Sequence, residues 1–129
     1  MALLKKSKLP VRKELVEVKS STKFLPVSPR KLRLMVKTIK KFLPQEALRK
    51  MKFLNKKTAR LLTKAIKTAV ADAYHNFGLK KETLKFKEIL VGEGPRMKRR
   101  DYSHGARFNS GLIQKPKAHL TIKIVGEKG

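Results

Sequence analysis

The chain predicts an α+β domain with a strongly cationic surface. Three observations support this: three segments carry apolar residues at helical spacing, the segments flanking them alternate with a period of two, and 34 Lys and Arg face only 9 Asp and Glu. At 129 residues the chain is long enough for one modest core, and no second domain is expected. With 40% hydrophobic and 33% charged residues it falls in neither the disordered nor the membrane class.

Residues 1–13 read as a flexible basic lead, either a solvated tail or an RNA-binding arm. The two adjacent leucines before its first lysines are too short for a signal-peptide apolar region, and no window approaches a membrane span. A soluble intracellular protein is expected. In ELVEVKSSTKF, Val16 and Val18 alternate before serines and threonine, which predicts an irregular strand.

VSPRKLRLMVKTIKKFL begins a helix, with Ser28 as N-cap and Pro29 at the first helical position, where its missing N–H costs nothing. Leu32, Met35, Val36, Ile39 and Phe42 or Leu43 mark the packing face, with Arg30, Arg33, Lys37 and Lys41 opposite. Pro44 ends this helix and opens a shorter one with a partial stripe of Ala47, Leu48, Met51 and Leu54. The strongest helical segment follows, with Asn55 as its cap and Gly78 as its stop. Leu62, Ala65, Ile66, Ala69, Val70, Ala73 and Phe77 form its stripe, and Lys57, Arg60, Lys64 and Lys67 its cationic side.

After Gly78 the period becomes two. Leu84 and Phe86 alternate with lysines, and the phase then slips near Lys87 and Glu88 before Ile89 and Val91, which predicts a bulge. Leu120, Ile122 and Ile124 define a return strand, and the two strands should pair as an antiparallel hairpin. Between them, residues 92–116 are far longer than an ordinary hairpin connection. EGPRMKRRDYSHGARFNSG reads as a poorly packable loop with five cations, two acids, three glycines and a proline. Limbs of about 20 extended residues would reach roughly 60 Å, against a radius of gyration of about 14 Å for a compact body.

The arm's apolar residues, Met97, Tyr102, Phe108, Leu112 and Ile113, are too scattered for a core of their own. Such a segment is suited to being ordered by an external anion. Arginine grips phosphate bidentately, Tyr102 or Phe108 offers a ring to an unpaired base, and Gly94, Gly105 and Gly111 let backbone approach closely. A formal net charge of +25 likewise calls for a dense polyanion, with nucleic acid the leading candidate.

Catalytic and metal chemistry are poorly supplied. There is no cysteine, and His75, His104 and His119 fall on a helix end, a loop and a strand without ligand spacing. Ser28 is claimed by its N-cap position, and neither a phosphate-binding loop nor an acidic cluster is present. No enzyme activity, cofactor or metal is expected. The alternative reading is a DNA-bending architectural protein with a basic β-arm, although the arm lacks an obvious central wedge proline. A membrane-surface protein would need an aromatic-bearing amphipathic face that is missing.

VSPRKLRLMVKTIKK, KTAVADAYHNFGL, VGEGPRMKR and AHLTIKIV occur in the order and spacing of one family, and over residues 15–126 the chain resembles bacterial-type large-subunit ribosomal protein twenty-two. The resemblance implies three helices packed on a small three-stranded antiparallel sheet with a long protruding β-hairpin. The division would be a lead over 1–13, a body over 14–91 and 117–126, and an arm over 92–116. It implies a structural role in the large ribosomal subunit of the cytoplasm, or of an organelle, with a hairpin that crosses rRNA to line the peptide exit tunnel. Implied partners are large-subunit rRNA, neighbouring ribosomal proteins and the nascent peptide, without a membrane.

Carried over by position, Ser28, Arg30, Lys31 and Arg33 match an rRNA-contacting helix start, and Met97, Lys98 and Arg99 match the hairpin segment near the tunnel. Arg107 is the matched tunnel-facing arginine, His119 matches a strand histidine, and His75 and Asn76 match a pair closing the long helix. With the basic faces and the arm, Lys37, Arg60, Lys64, Arg96, Lys98, Arg99, Arg100, Arg107, Lys115 and His119 complete the RNA-binding candidates. Beyond Arg100, DYSHGARFNSGLIQKPK departs from the family's usual Pro-Arg-Ala and Gly-Arg-Ala pattern. Within it, Asp101 is placed to pair with a neighbouring arginine.

Overall fold

The computed structural model describes residues 13–129, so the predicted lead lies outside the described residues except for Lys13. In chain order the elements are β1 (Leu15–Leu25), α1 (Pro29–Ile39), α2 (Pro44–Lys52), α3 (Lys57–His75), a short 3₁₀ turn at Lys81–Thr83, β2 (Lys85–Asp101) and β3 (Gly111–Glu127). They form the expected α+β fold, with one antiparallel sheet of order β1-β3-β2. The last strand in sequence is central. It pairs with β1 from Ala118 to Glu127 and with β2 from Gly111 to Val125.

Period-two alternation turns Ala118, Leu120, Ile122 and Ile124 of β3 to one face, where Val18 lies opposite Ile124 and Ile89 opposite Ile122. Leu32, Val36 and Ile39 of α1, Ala47 and Met51 of α2, and Leu62, Ala65, Ile66, Ala69 and Ala73 of α3 close over that face as one continuous core. The alanines let α3 lie close to the sheet. Phe77 is exposed instead of ending the stripe, because Gly78 reverses the chain with φ of 63° and Leu79 enters the core in its place. Leu43 and Leu54 are also exposed, since each stands at an inter-helix connection, while Phe42 and Leu48 pack at the core's margin.

The predicted start of α1 is present, with Ser28 extended at the N-cap and Pro29 in the first turn, yet the serine hydroxyl makes no capping hydrogen bond. At α3 the cap is Lys56, and Asn55 instead accepts a hydrogen bond from Arg60 at 3.0 Å. Asn76 closes the helix by donating its backbone N–H to Asp72 O at 3.0 Å.

Residues 93–111 are not the irregular loop that their composition suggests. Pairing continues outward to Asp101 opposite Gly111, which leaves only residues 102–110 as the connection. Propensity undervalues this ladder because its backbone bonds are satisfied across the hairpin even where side chains stay exposed. Two bulges interrupt it: one between Phe86 and Glu88, as the phase slip predicts, and one between Glu93 and Arg96. In the second, Gly94 and Pro95 stand against the single residue Lys117. Proline has no N–H to leave unpaired there. At Gly94 a Cβ would lie 2.8 Å from Lys117 O, too close for any other residue without a backbone shift.

Gly94→Ala is therefore expected to lower stability by about 1–3 kcal/mol in urea unfolding, the usual cost of overpacking. Gly92→Ala, whose nearest neighbour is His119 Cβ at 3.7 Å, should be tolerated. Equal effects at the two positions would contradict the close approach in the bulge.

Candidate nucleic-acid interface

The few acids are largely occupied by adjacent cations. Among the described residues, Glu127 pairs with Lys13 at 3.0 Å, Glu46 with Lys50 at 3.1 Å and Glu88 with Lys123 at 2.9 Å, and Glu17 contacts Lys87. Exposed pairs of this kind contribute little stability, but they remove the acids as partners for the remaining lysines and arginines. Lys123 depresses the Glu88 carboxyl through a hydrogen bond and its charge, and is itself raised by the same contact. These two pairs, Glu17–Lys87 and Glu88–Lys123, sit on the sheet face away from the helices. On the helical side Glu46 and Glu93 meet only Lys50 and Arg96, so most cations there have no acidic partner among the described residues.

Helix α1 carries that imbalance furthest. Its first turn holds Arg30 and Lys31 and no acid, the wrong sign for the positive end of a helix dipole, so an external anion there would relieve two unfavourable terms together. The α1 start and the base of the β2–β3 hairpin enclose a cleft of about 270 Å³. Ser28, Arg30 and Arg33 line one side of it and Arg96, Gln114 and Lys117 the other. Arg96 is oriented by a 3.2 Å hydrogen bond to Gln114 Oε1 and stands 3.9 Å from Glu93. Residues more than sixty positions apart in the chain thus converge on one cationic cleft.

The Gly94–Pro95 bulge determines what the arm shows to that cleft. A one-residue slip sends every later side chain to the opposite face. Beyond the bulge, Arg96, Lys98 and Arg100 pair with Pro116, Gln114 and Leu112, and all six continue the helix-facing side of β3. Met97, Arg99 and Asp101 pair with Lys115, Ile113 and Gly111 on the reverse side. Met97, Lys98 and Arg99, contiguous in sequence, are therefore split: Lys98 lies with Arg96 and Arg100, while Met97 and Arg99 share a face with Lys115. All of these positions are exposed except half-buried Pro116 and Asp101.

At the tip Asp101 does not pair with an arginine. Its Oδ1 accepts hydrogen bonds from the Ser103 N–H, at 2.9 Å, and from the Ser103 hydroxyl, while Oδ2 lies 3.7 Å from His104 Nε2. The hydroxyl and then the amide hold the carboxyl below its ordinary range. An Asx turn thus satisfies the aspartate within three residues and leaves exposed Arg107 free of it.

The other candidates are distributed. Lys31 borders a groove with Leu34 and Leu54, Lys37 another with Arg33 and Lys40 beside β2, and Arg60 and Lys64 a third between α2 and α3. His119 is half-buried, and its Nδ1 accepts the Phe24 N–H at 3.1 Å with the two rings edge to face at 5.0 Å. That bond supports Phe24 at φ 57°, in the irregularity between Thr22 and Leu25 of β1, and leaves only Nε2 to face outward. His75 lies edge to face with Tyr74 at 5.0 Å. Sequence reading missed Gln114 and Lys117, because their place beside α1 follows from the ladder register and not from any motif.

Fold and surface define a small α+β domain with a cation-lined cleft between a helix start and the base of a long β-hairpin. The family model for ribosomal protein L22p/L17e matches residues 20–125, and the chain belongs to that family. Among similar proteins, the large ribosomal subunit protein uL22 of Petrotoga mobilis is 41% identical over 85% of this chain and 72% of its own length. That of Thermotoga sp. strain RQ2 is 40% identical over 84% and 67%, and that of Fusobacterium nucleatum 35% identical over 88% and 100%.

Because its folded-state pKa is depressed, the Asp101 contribution to tip order is present above the ordinary carboxylate range and is lost as pH falls through the depressed value. The Ser103 amide resonance should therefore titrate below the range of an unperturbed aspartate, and Asp101→Asn should abolish that titration. A midpoint at or above the ordinary range would contradict the turn.

Proposed function

We propose that the chain is a structural, non-catalytic protein of the large ribosomal subunit that binds rRNA with its α1 start and the helix-facing side of its hairpin. The reading rests on family membership for the particle and on one geometric observation for the mode of binding. That observation is the bulge at Gly94–Pro95, after which Arg96, Lys98 and Arg100 fall on the side of Arg30 and Arg33. RNA phosphates running from the cleft along the arm would meet cations on both elements. Recognition would be by shape and splayed bases, since side chains cannot read the narrow major groove of A-form RNA.

The reverse face, with Met97, Arg99, Ile113 and Lys115, and the tip with Arg107 are then available to the nascent peptide in the exit tunnel. Neighbouring ribosomal proteins complete the set of partners, and the cytoplasmic ribosome is the expected location. Nothing observed favours the DNA-bending alternative.

Charge reversal by face tests this. Lys98→Glu with Arg100→Glu should weaken binding to large-subunit rRNA at least tenfold, flatten its salt dependence and reduce incorporation into large subunits. Arg99→Glu with Lys115→Glu should do markedly less. Unchanged incorporation of the first pair, or equal loss from both, would overturn the assignment of faces.

A further inference from the structure

The α2–α3 groove contains a second constellation of cations, unrelated to the hairpin. It is about 500 Å³ in volume and open to solvent. Met51, buried against α3, forms its floor. Lys52 stands on one side and Arg60, Lys64 and Lys67 recur along the facing side of α3. No acid lines it, and none of the four cations is in an ion pair among the described residues. Arg60 is nevertheless held in place, because Asn55 Oδ1 accepts from its Nη2 at 3.0 Å. That hydrogen bond fixes the guanidinium at the groove without neutralising it.

Beside these cations Phe53 is 87% exposed, just beyond the end of α2. The chain sets this ring at the groove although the core has no use for it. A single exposed ring is ordinary on a protein surface, but this one lies beside four cations with no acid between them, and that combination specifies the cover. A peptide or membrane would need a strongly anionic surface to meet four unpaired cations, and it would find only Phe53 and Leu54 as exposed apolar contacts. A single-stranded nucleic acid supplies both complements, phosphates for the cations and a flat base for the ring.

We propose that this groove is a second RNA site, in which an unpaired base stacks on Phe53 while Lys52, Arg60, Lys64 and Lys67 hold the adjoining phosphates and Asn55 positions Arg60. The inference rests on the rRNA-binding reading but concerns a different face, and its failure can be told from failure of that reading. It also gives Arg60 and Lys64 a specific role in place of a general basic face.

The test uses the full chain and two RNA probes, a 12-nucleotide single-stranded oligonucleotide and the corresponding duplex, with Phe53 ring signals followed by NMR. The single strand should shift those signals and the duplex should not. Phe53→Ala should weaken single-strand binding roughly tenfold, within the range for base–aromatic stacking, and Phe53→Tyr should retain it. The exposed position should leave the melting temperature unchanged in both variants. If Phe53→Ala binds like the parent while Lys98→Glu with Arg100→Glu does not, the groove proposal falls and the hairpin reading stands. If none of these variants alters RNA binding, both fall.

Discussion

Strand β3 is shared between two tasks, and the rest of the molecule depends on that sharing. Its inner residues, Ala118 to Ile124, alternate into the core between β1 and β2, while its outer residues from Gly111 to Pro116 keep the same ladder going where no core lies beneath. Backbone hydrogen bonding does not need a buried face to continue, whereas hydrophobic stabilisation does. The body therefore fixes the direction in which the arm leaves, and the arm is free to spend its side chains on charge.

What the arm does with that freedom is decided at Gly94 and Pro95. Without the extra residue, Met97 and Arg99 would continue the row that Ile89 and Val91 begin on the helix side, and Lys98 would point away. With it, the row becomes Arg96, Lys98 and Arg100, facing the same way as Arg30 and Arg33 at the start of α1. The Glu-Gly-Pro sequence thus has a physical role. Glycine admits the close approach to Lys117, proline occupies the position that needs no donor, and the phase of every later residue follows from the two.

Much of this was legible in the sequence, for reasons specific to each element. The α3 stripe from Leu62 to Ala73 was readable because helical periodicity and burial agree along it, and the bulge near Lys87 because alternation breaks on both sides of it. The cap predicted at Asn55 failed because that side chain is drawn to Arg60, a competition that propensity cannot see. The strand character of residues 93–101 was hidden because its alternation is between two kinds of exposed residue, which leaves no hydrophobic signal. The candidate site followed the same rule: its cationic residue types were visible, but the meeting of Arg30, Arg33 and Arg96 in one cleft depends on the register between β2 and β3. Asp101 was read as a partner for arginine when a serine two positions away satisfies it more locally.

In the proposed function one register shift sorts the arm into an RNA face and a reverse face, and lysine-reactive footprinting of intact large subunits reads both faces in one experiment. Lys98 and Lys115 lie at nearly the same depth along the hairpin but on opposite faces. Lys98 should be protected in the particle, and Lys115 should be modified from the open side of the tunnel. Equal reactivity at the two residues, or the inverse pattern, would contradict it.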